Sequence, residues 1–314
     1  MKDGKLPNKI VQLTGKQTVG PHVLISAGVH GDEYEPMLAI QALTEILGGM
    51  LLKGTVTLMP IVNVGAYLSE NRLGMDGLDL ARICPGNATG SDSQQAAAEV
   101  SLLIREADYY IDLHTGGRLF DIFPLAGYML HPDADVLEKQ RKMAGTFGLP
   151  VVWGTEAKPE GRTLSVARDA RVPAIYVEYG GGGLLRKEVK LAYLQGCMRV
   201  LAWLNMVEAS EKAIPQITYW VEDNRPSGGY LQGKMPAPMT GIFECHVSLG
   251  DRVKKGAPWG SLYDPIHGEI KEIEADMDGI VLFVRKAPFV RKAEALGGIL
   301  PITEPGKQFI DAKP

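Results

Sequence analysis

The feature that most constrains the fold of this chain is an alternation. From about residue 22 to residue 208, short apolar runs take turns with longer segments of helical period. The run HVLISAGV (22–29) is rich in β-branched residues and ends in a Gly-bounded turn, which predicts a buried strand. The next segment, EYEPMLAIQALTEIL (33–47), carries Met37, Leu38, Ile40, Ala42, Leu43, Ile46 and Leu47 on helical spacing. Gly48-Gly49 predict its end. TVTLMPIVN (55–63), DYYIDLH (108–114) and AIYVEY (174–179) predict further buried strands, and 94–106, 136–148 and 185–208 predict helices. Strands apolar on both faces need cover on both faces, and parallel strands need helical crossovers to supply it. The expected fold is therefore α/β, a mostly parallel mixed sheet with helices on both faces.

The pattern changes after about residue 225. Short strands separated by Gly-Asp and Lys-Gly turns follow, with no long helix, which predicts a small C-terminal all-β domain. The expected division is 1–226 and 227–314, with the linker near Asn224-Arg225-Pro226-Ser227-Gly228-Gly229. Within the first part, the Gly- and Asp-rich stretch from Gly65 to Gly90 predicts an unusually long loop, and such loops tend to be functional.

Composition narrows the function. The net charge is −4 without a long run of one sign, which argues against nucleic acid or an anionic membrane surface as the main partner. The start has no apolar signal region and no stretch is long enough to span a bilayer. Cys84, Cys197 and Cys245 are odd in number and far apart, which fits free thiols in a reducing cytoplasm.

The strongest local signal is Gly28-Val29-His30-Gly31-Asp32-Glu33, where His30 and Glu33 stand three apart at a strand-to-helix junction. Imidazole and carboxylate converging there make a good zinc pair. An open α/β sheet binds ligands outside the carboxyl ends of its strands. His30 lies at one such end, His114 closes IDLH before Thr115-Gly116-Gly117, and Glu178 closes AIYVE before Tyr179-Gly180-Gly181. Taken singly, His114 could be a hydrogen-bonded core histidine and Glu178 the partner of an arginine. Taken together, two histidines and a glutamate predict a catalytic-type metal site. His22, His131, His246 and His267 have no comparable context and are expected to be structural or on the surface.

His30-Gly31-Asp32-Glu33, DLARICPG (79–86), IDLHTG (111–116) and VEYGGG (177–182) resemble the motifs of the succinylglutamate desuccinylase/aspartoacylase family, in order and nearly end to end. That family belongs with the zinc carboxypeptidases in fold and metal site. The resemblance implies one zinc ion per chain held by His30, Glu33 and His114, with Glu178 as the general base. It implies that Arg72 polarises the scissile carbonyl and that Arg82 binds a substrate carboxylate. Asn63 and Arg162 match further substrate-facing positions. One departure is Ala81, where the family has Asn before the arginine of Arg82. The segment SLGDRVKKGAPWGSL (248–262) resembles a biotinyl/lipoyl-like β domain. It lacks the tripeptide that would present a modified lysine, so a module covering the site is expected there.

The expected activity is hydrolysis of the amide bond of an N-acyl amino acid or related small amide by a zinc-dependent deacylase. The alternatives are a zinc carboxypeptidase acting on peptides and a non-catalytic binding protein on the same scaffold. The expected partner is a small N-acyl substrate, and a homo-oligomer is compatible with the sequence.

Overall fold

The computed structural model describes residues 10–209, 215–226, 229 and 234–302, and the backbone of 306–310. The first part of the chain supplies β1 (Val11–Thr14), β2 (Gln17–Ser26), β3 (Lys53–Met59), β4 (Tyr109–His114), β5 (Phe120–Met129), β6 (Val151–Thr155), β7 (Ala174–Gly181) and β8 (Tyr219–Asp223). Its helices are α1 (Tyr34–Met50), α2 (Val64–Leu68), α3 (Asp92–Glu106), α4 (Ala134–Phe147), α5 (Thr163–Asp169) and α6 (Lys187–Trp203). The large sheet runs β1-β3-β2-β4-β7-β5-β6-β8. Pairing is parallel from β3 through β2 and β4 to β7 and again from β5 through β6 to β8, and antiparallel at β1–β3 and β5–β7. This is the mixed, mostly parallel α/β sheet expected.

Each face of the sheet has its own core. Ile40, Leu43 and Leu47 of α1 and Tyr193, Cys197 and Val200 of α6 pack with Phe147 of α4 over one face. Val100 and Ile104 of α3 and Leu164 and Ala167 of α5 cover the other. Helical spacing on one side of each helix is what allows this burial.

The later strands are β9 (Gly241–Cys245), β10 (Arg252–Val253), β11 (Pro258–Asp264), β12 (Glu269–Glu274), β13 (Gly279–Arg285), β14 (Phe289–Val290), β15 (Gly297–Leu300) and β16 (Gly306–Ile310). Four of them form a small antiparallel sheet, β12-β11-β9-β14. The others join the large sheet: β13 pairs antiparallel with β5, Phe283 opposite Ile122, and carries β10 and β15, while β16 extends the edge at β8.

Two expectations are corrected. Helix α1 continues through Gly48 and Gly49 to Met50, because neither glycine has positive φ and buried Leu43 and Leu47 hold the last turn. The stretch 65–90 is not an unbroken loop. It begins inside α2, capped by Asn63, and contains a short 3-10 turn at Leu80–Arg82.

Candidate metal centre and active site

Strand β2 lies between β3 and β4, so the chain leaves β2 through α1 toward β3 and returns through α3 to the other side of β2. Such a reversal opens a crevice at the carboxyl ends of the strands. His30 follows β2 there, and His114 is the last residue of β4. Glu178 lies directly beside His114 in the parallel β4–β7 register. Gly31 is required between the first two ligand candidates, since a Cβ there would lie 2.0 Å from the Ala66 carbonyl. Glu33 occupies the N-cap position of α1, yet its side chain makes no capping bond. It turns instead toward the histidines.

Glu33 is the hub of the cluster. One carboxylate oxygen lies 2.7 Å from His30 Nδ1 and the other 3.0 Å from His114 Nδ1. The two imidazole rings are 5.2 Å apart. One donor atom from each of the three residues falls within a 4.8 Å span, and all three residues are buried. Burial opposes ionisation of Glu33, but the His30 and His114 rings outweigh it and hold the carboxyl at about 2. Burial likewise opposes charge on His114, and Asp112 and Glu33 together raise its pKa well above the ordinary imidazole value.

Behind each histidine stands a second carboxylate. Asp112 Oδ2 lies 3.1 Å from His114 Nε2 and also accepts from the Thr163 hydroxyl, while Oδ1 accepts from the Ser26 hydroxyl. Asp79 Oδ1 lies 3.4 Å from His30 Nε2, close but without hydrogen-bond alignment. A carboxylate on the far nitrogen fixes tautomer and ring orientation and makes the near nitrogen a better ligand. The donor set therefore suits a metal ion: two Nδ1 atoms and a carboxylate converge, with both rings backed by acid. Neither Asp79 nor Asp112 was singled out from sequence. For Asp112 a signal existed, because residues i and i+2 of a strand share a face and Asp112 is two before His114.

Glu178 is partly open to the cavity, while its Oε2 is enclosed and makes no hydrogen bond. Burial, only partly offset by His114 and Arg72, pushes its pKa up to about 8. Arg72 is held by Asp79, Nε to Oδ2 at 3.0 Å, with Nη1 3.5 Å from His30 Nδ1. A cavity of about 150 Å³ joins His30, His114, Glu178, Arg72, Arg82 and Arg162. Asn63 does not line it. Its Oδ1 accepts from Ala66 N and its Nδ2 donates to Ser93 Oγ, so both ends of the amide are used in capping α2 and tying it to α3. The Asn before a short apolar segment was the available sign of that cap.

A family model for the succinylglutamate desuccinylase/aspartoacylase catalytic domain matches residues 19–204. That span is more than half of the chain, and the protein belongs to this family. The N-alpha-acetyl-L-2,4-diaminobutyric acid deacetylase of Halomonas elongata is 29% identical over 296 residues, covering 92% of this chain and 84% of that protein. A succinylglutamate desuccinylase/aspartoacylase from Rhodobacter sphaeroides superposes with a TM-score of 0.82 at 26% identity, covering 93% of this chain and 88% of that one. The product-bound ectoine utilization protein EutE of Ruegeria pomeroyi has the same fold, with a TM-score of 0.82 at 20% identity over 92% of this chain and 87% of its own. Among the described residues, no helix is long and apolar enough to cross a membrane.

Proposed function

We propose that this chain is a zinc-dependent deacylase that hydrolyses the amide bond of a small N-acyl amino acid. The observation that carries the reading is the convergence of His30, Glu33 and His114 with Glu178 on the adjoining strand. Its relatives include a deacetylase of an N-acetylated amino acid. His30, Glu33 and His114 would hold one zinc ion per chain, an assignment that two imidazoles and one carboxylate favour over calcium or magnesium. When bound, zinc supplies Lewis-acid polarisation and a lowered pKa for water.

The remaining steps belong to the chain. Glu178 takes the proton from the attacking water and returns it to the leaving amine nitrogen. Arg72, oriented by Asp79, donates toward the developing oxyanion of the carbonyl. Arg82 offers a planar fork to the substrate carboxylate, with Arg162 on the same cavity wall. Residues 227–314 act as a unit that narrows access to the cavity, which Gly229 and Phe283 help to line. Three free cysteines, two of them buried, fit a cytoplasmic setting.

The test is a hydrolysis screen over N-acetyl, N-succinyl and N-formyl amino acids, with peptides of five or more residues as controls, alongside metal analysis. The small compounds should be cleaved and the peptides not. About one zinc per chain is expected, lost with activity in His114→Ala. Efficient cleavage of long peptides alone would restore the carboxypeptidase reading, and full metal content in His114→Ala would remove His114 from the ligand set.

A further inference from the structure

Resting on the deacylase reading, the cavity carries information about which N-acyl amino acids it takes. Its wall has a cationic part and an apolar part. Arg82 and Arg162 belong to segments that touch, since the backbone of Arg82 lies against Gly161, where a Cβ would meet the Arg82 carbonyl at 2.3 Å. Ala81 and Leu164 line the cavity beside these two arginines, and Arg72 adds a third guanidinium. The other part is built across the β5–β13 pairing. Ile122 and Phe283 stand opposite each other in register, and the Phe120 and Phe283 rings meet edge to face at 5.3 Å. All three line the cavity.

The acids in the described wall are Asp112 and Glu178. Asp112 is committed to Ser26, Thr163 and His114. Glu178 lies beside His114 at the reacting centre. Gly229, which also lines the cavity, brings no side chain to it. A substrate ammonium would thus leave water to face guanidinium groups and aromatic carbon with no carboxylate of its own, and an unpaired buried charge is strongly disfavoured. An apolar group placed against Phe120, Ile122 and Phe283 is favoured instead, and one added methylene in such a pocket is worth about 10-fold or more.

We infer that the preferred substrate is an N-acyl amino acid that carries an apolar group for the Phe120–Ile122–Phe283 wall and no basic side chain. In this it would differ from the Halomonas elongata relative, whose named substrate bears a second amine. Two parts of such a substrate could supply the apolar group, the acyl chain or the amino-acid side chain.

The experiment measures kcat/KM of the intact, zinc-loaded protein in two series. One keeps the acetyl group and varies the amino acid through alanine, leucine, phenylalanine, aspartate, lysine and 2,4-diaminobutyrate. The other keeps alanine and lengthens the acyl group from acetyl to butanoyl to hexanoyl. Calorimetric binding of free leucine and free 2,4-diaminobutyrate gives a readout independent of turnover. The best apolar compound should exceed the diaminobutyrate, lysine and aspartate derivatives by about 10-fold or more. The series in which that gain appears identifies which end of the substrate meets the wall, and leucine should bind more tightly than diaminobutyrate if it is the side chain. Highest efficiency on a basic or an acidic side chain overturns the inference while leaving the deacylase reading intact. A flat response in both series overturns it too. No hydrolysis of any compound removes the deacylase reading and the inference together.

Discussion

Asp79 touches two parts of the site at once. One oxygen lies 3.4 Å from His30 Nε2 and the other accepts from Arg72 Nε at 3.0 Å, so a single carboxylate stands against a proposed metal ligand and holds the proposed oxyanion donor. Burial works against its charge, yet His30 and Arg72 hold its pKa far below the usual carboxylate value. Asp79→Asn keeps the shape and removes the charge. Its expected effects are a zinc affinity lower by about 10–100-fold, read by chelator competition, and a lower kcat. Unchanged affinity with lowered kcat would confine Asp79 to serving Arg72. For Glu178→Gln the expectation is retained zinc and a turnover lower by about 10²–10⁴-fold, since the amide cannot accept the proton. Zinc lost from that variant would make Glu178 a ligand, and wild-type turnover would end its assignment as the base. The convergence of His30, Glu33, His114 and Glu178 was legible in the sequence because His30, His114 and Glu178 stand at or just past strand ends near glycines, where a chain reversal gathers such positions, and Glu33 follows His30 by three at the start of α1. Asn63 has two readings in sequence, because an amide that caps a helix and one that grips a substrate look alike there, and the fold shows it capping α2. Asp79 was hidden for a different reason. Its partners are seven and 49 positions away, and only the fold of the 65–90 segment brings them to it.

At the scale of elements, the strands and helices found from periodicity are those with long uninterrupted patterns. Strand β5 escaped because its pattern is broken: Pro124 interrupts it, Gly127 thins it, and the register with β7 shifts between Ile122 and Leu125. A proline inside a strand ordinarily marks an edge or a bulge, and here it marks the bulge. Strand β6, with only five residues, and α5, with seven, are too short to show a period. Helix α1 shows the opposite case, a signal that was present and overridden. Gly48 and Gly49 are exposed in its last turn, and a Cβ at either position would have nothing within 4 Å. Neither has positive φ, so alanine fits the existing backbone. Gly48→Ala and Gly49→Ala should each stabilise the protein by about 0.4–1 kcal/mol, chiefly by restricting the unfolded chain. The measurement is the urea midpoint at constant m-value. A lowered midpoint would mean that this turn needs glycine for a reason other than space or φ.

For the molecule as a whole, the sequence marked a change of pattern near residue 225 but gave no sign of how the two parts join. Every residue of β13 is buried, and it contributes to two cores. Ile280, Leu282 and Phe283 pack with Ile122 and Leu125 of β5 and Trp153 of β6. Val281 and Val284 pack with Phe243 and Trp259 of the small-sheet region. The same strand is hydrogen-bonded to β5 through Phe283, Val284 and Arg285. Losing the C-terminal strands would therefore open one side of the first part and leave Ile122, Leu125 and Trp153 facing water. Losing β5 would strip β13 in the same way. Elements that share a core and a backbone ladder have little to gain by unfolding separately, so one cooperative transition is expected across both parts. Hydrogen exchange followed by mass spectrometry across a urea series checks this directly. Peptides from 120–129, 151–155, 258–264 and 279–285 should lose protection at a common urea concentration, in step with the loss of hydrolysis. Deletion of residues 228–314 should in turn yield an insoluble or molten product. If 258–264 and 279–285 lose protection well before 120–129 and 151–155, with activity persisting between the two transitions, then the C-terminal part is an independent module. Its contribution of Phe283 to the cavity would then be dispensable for hydrolysis.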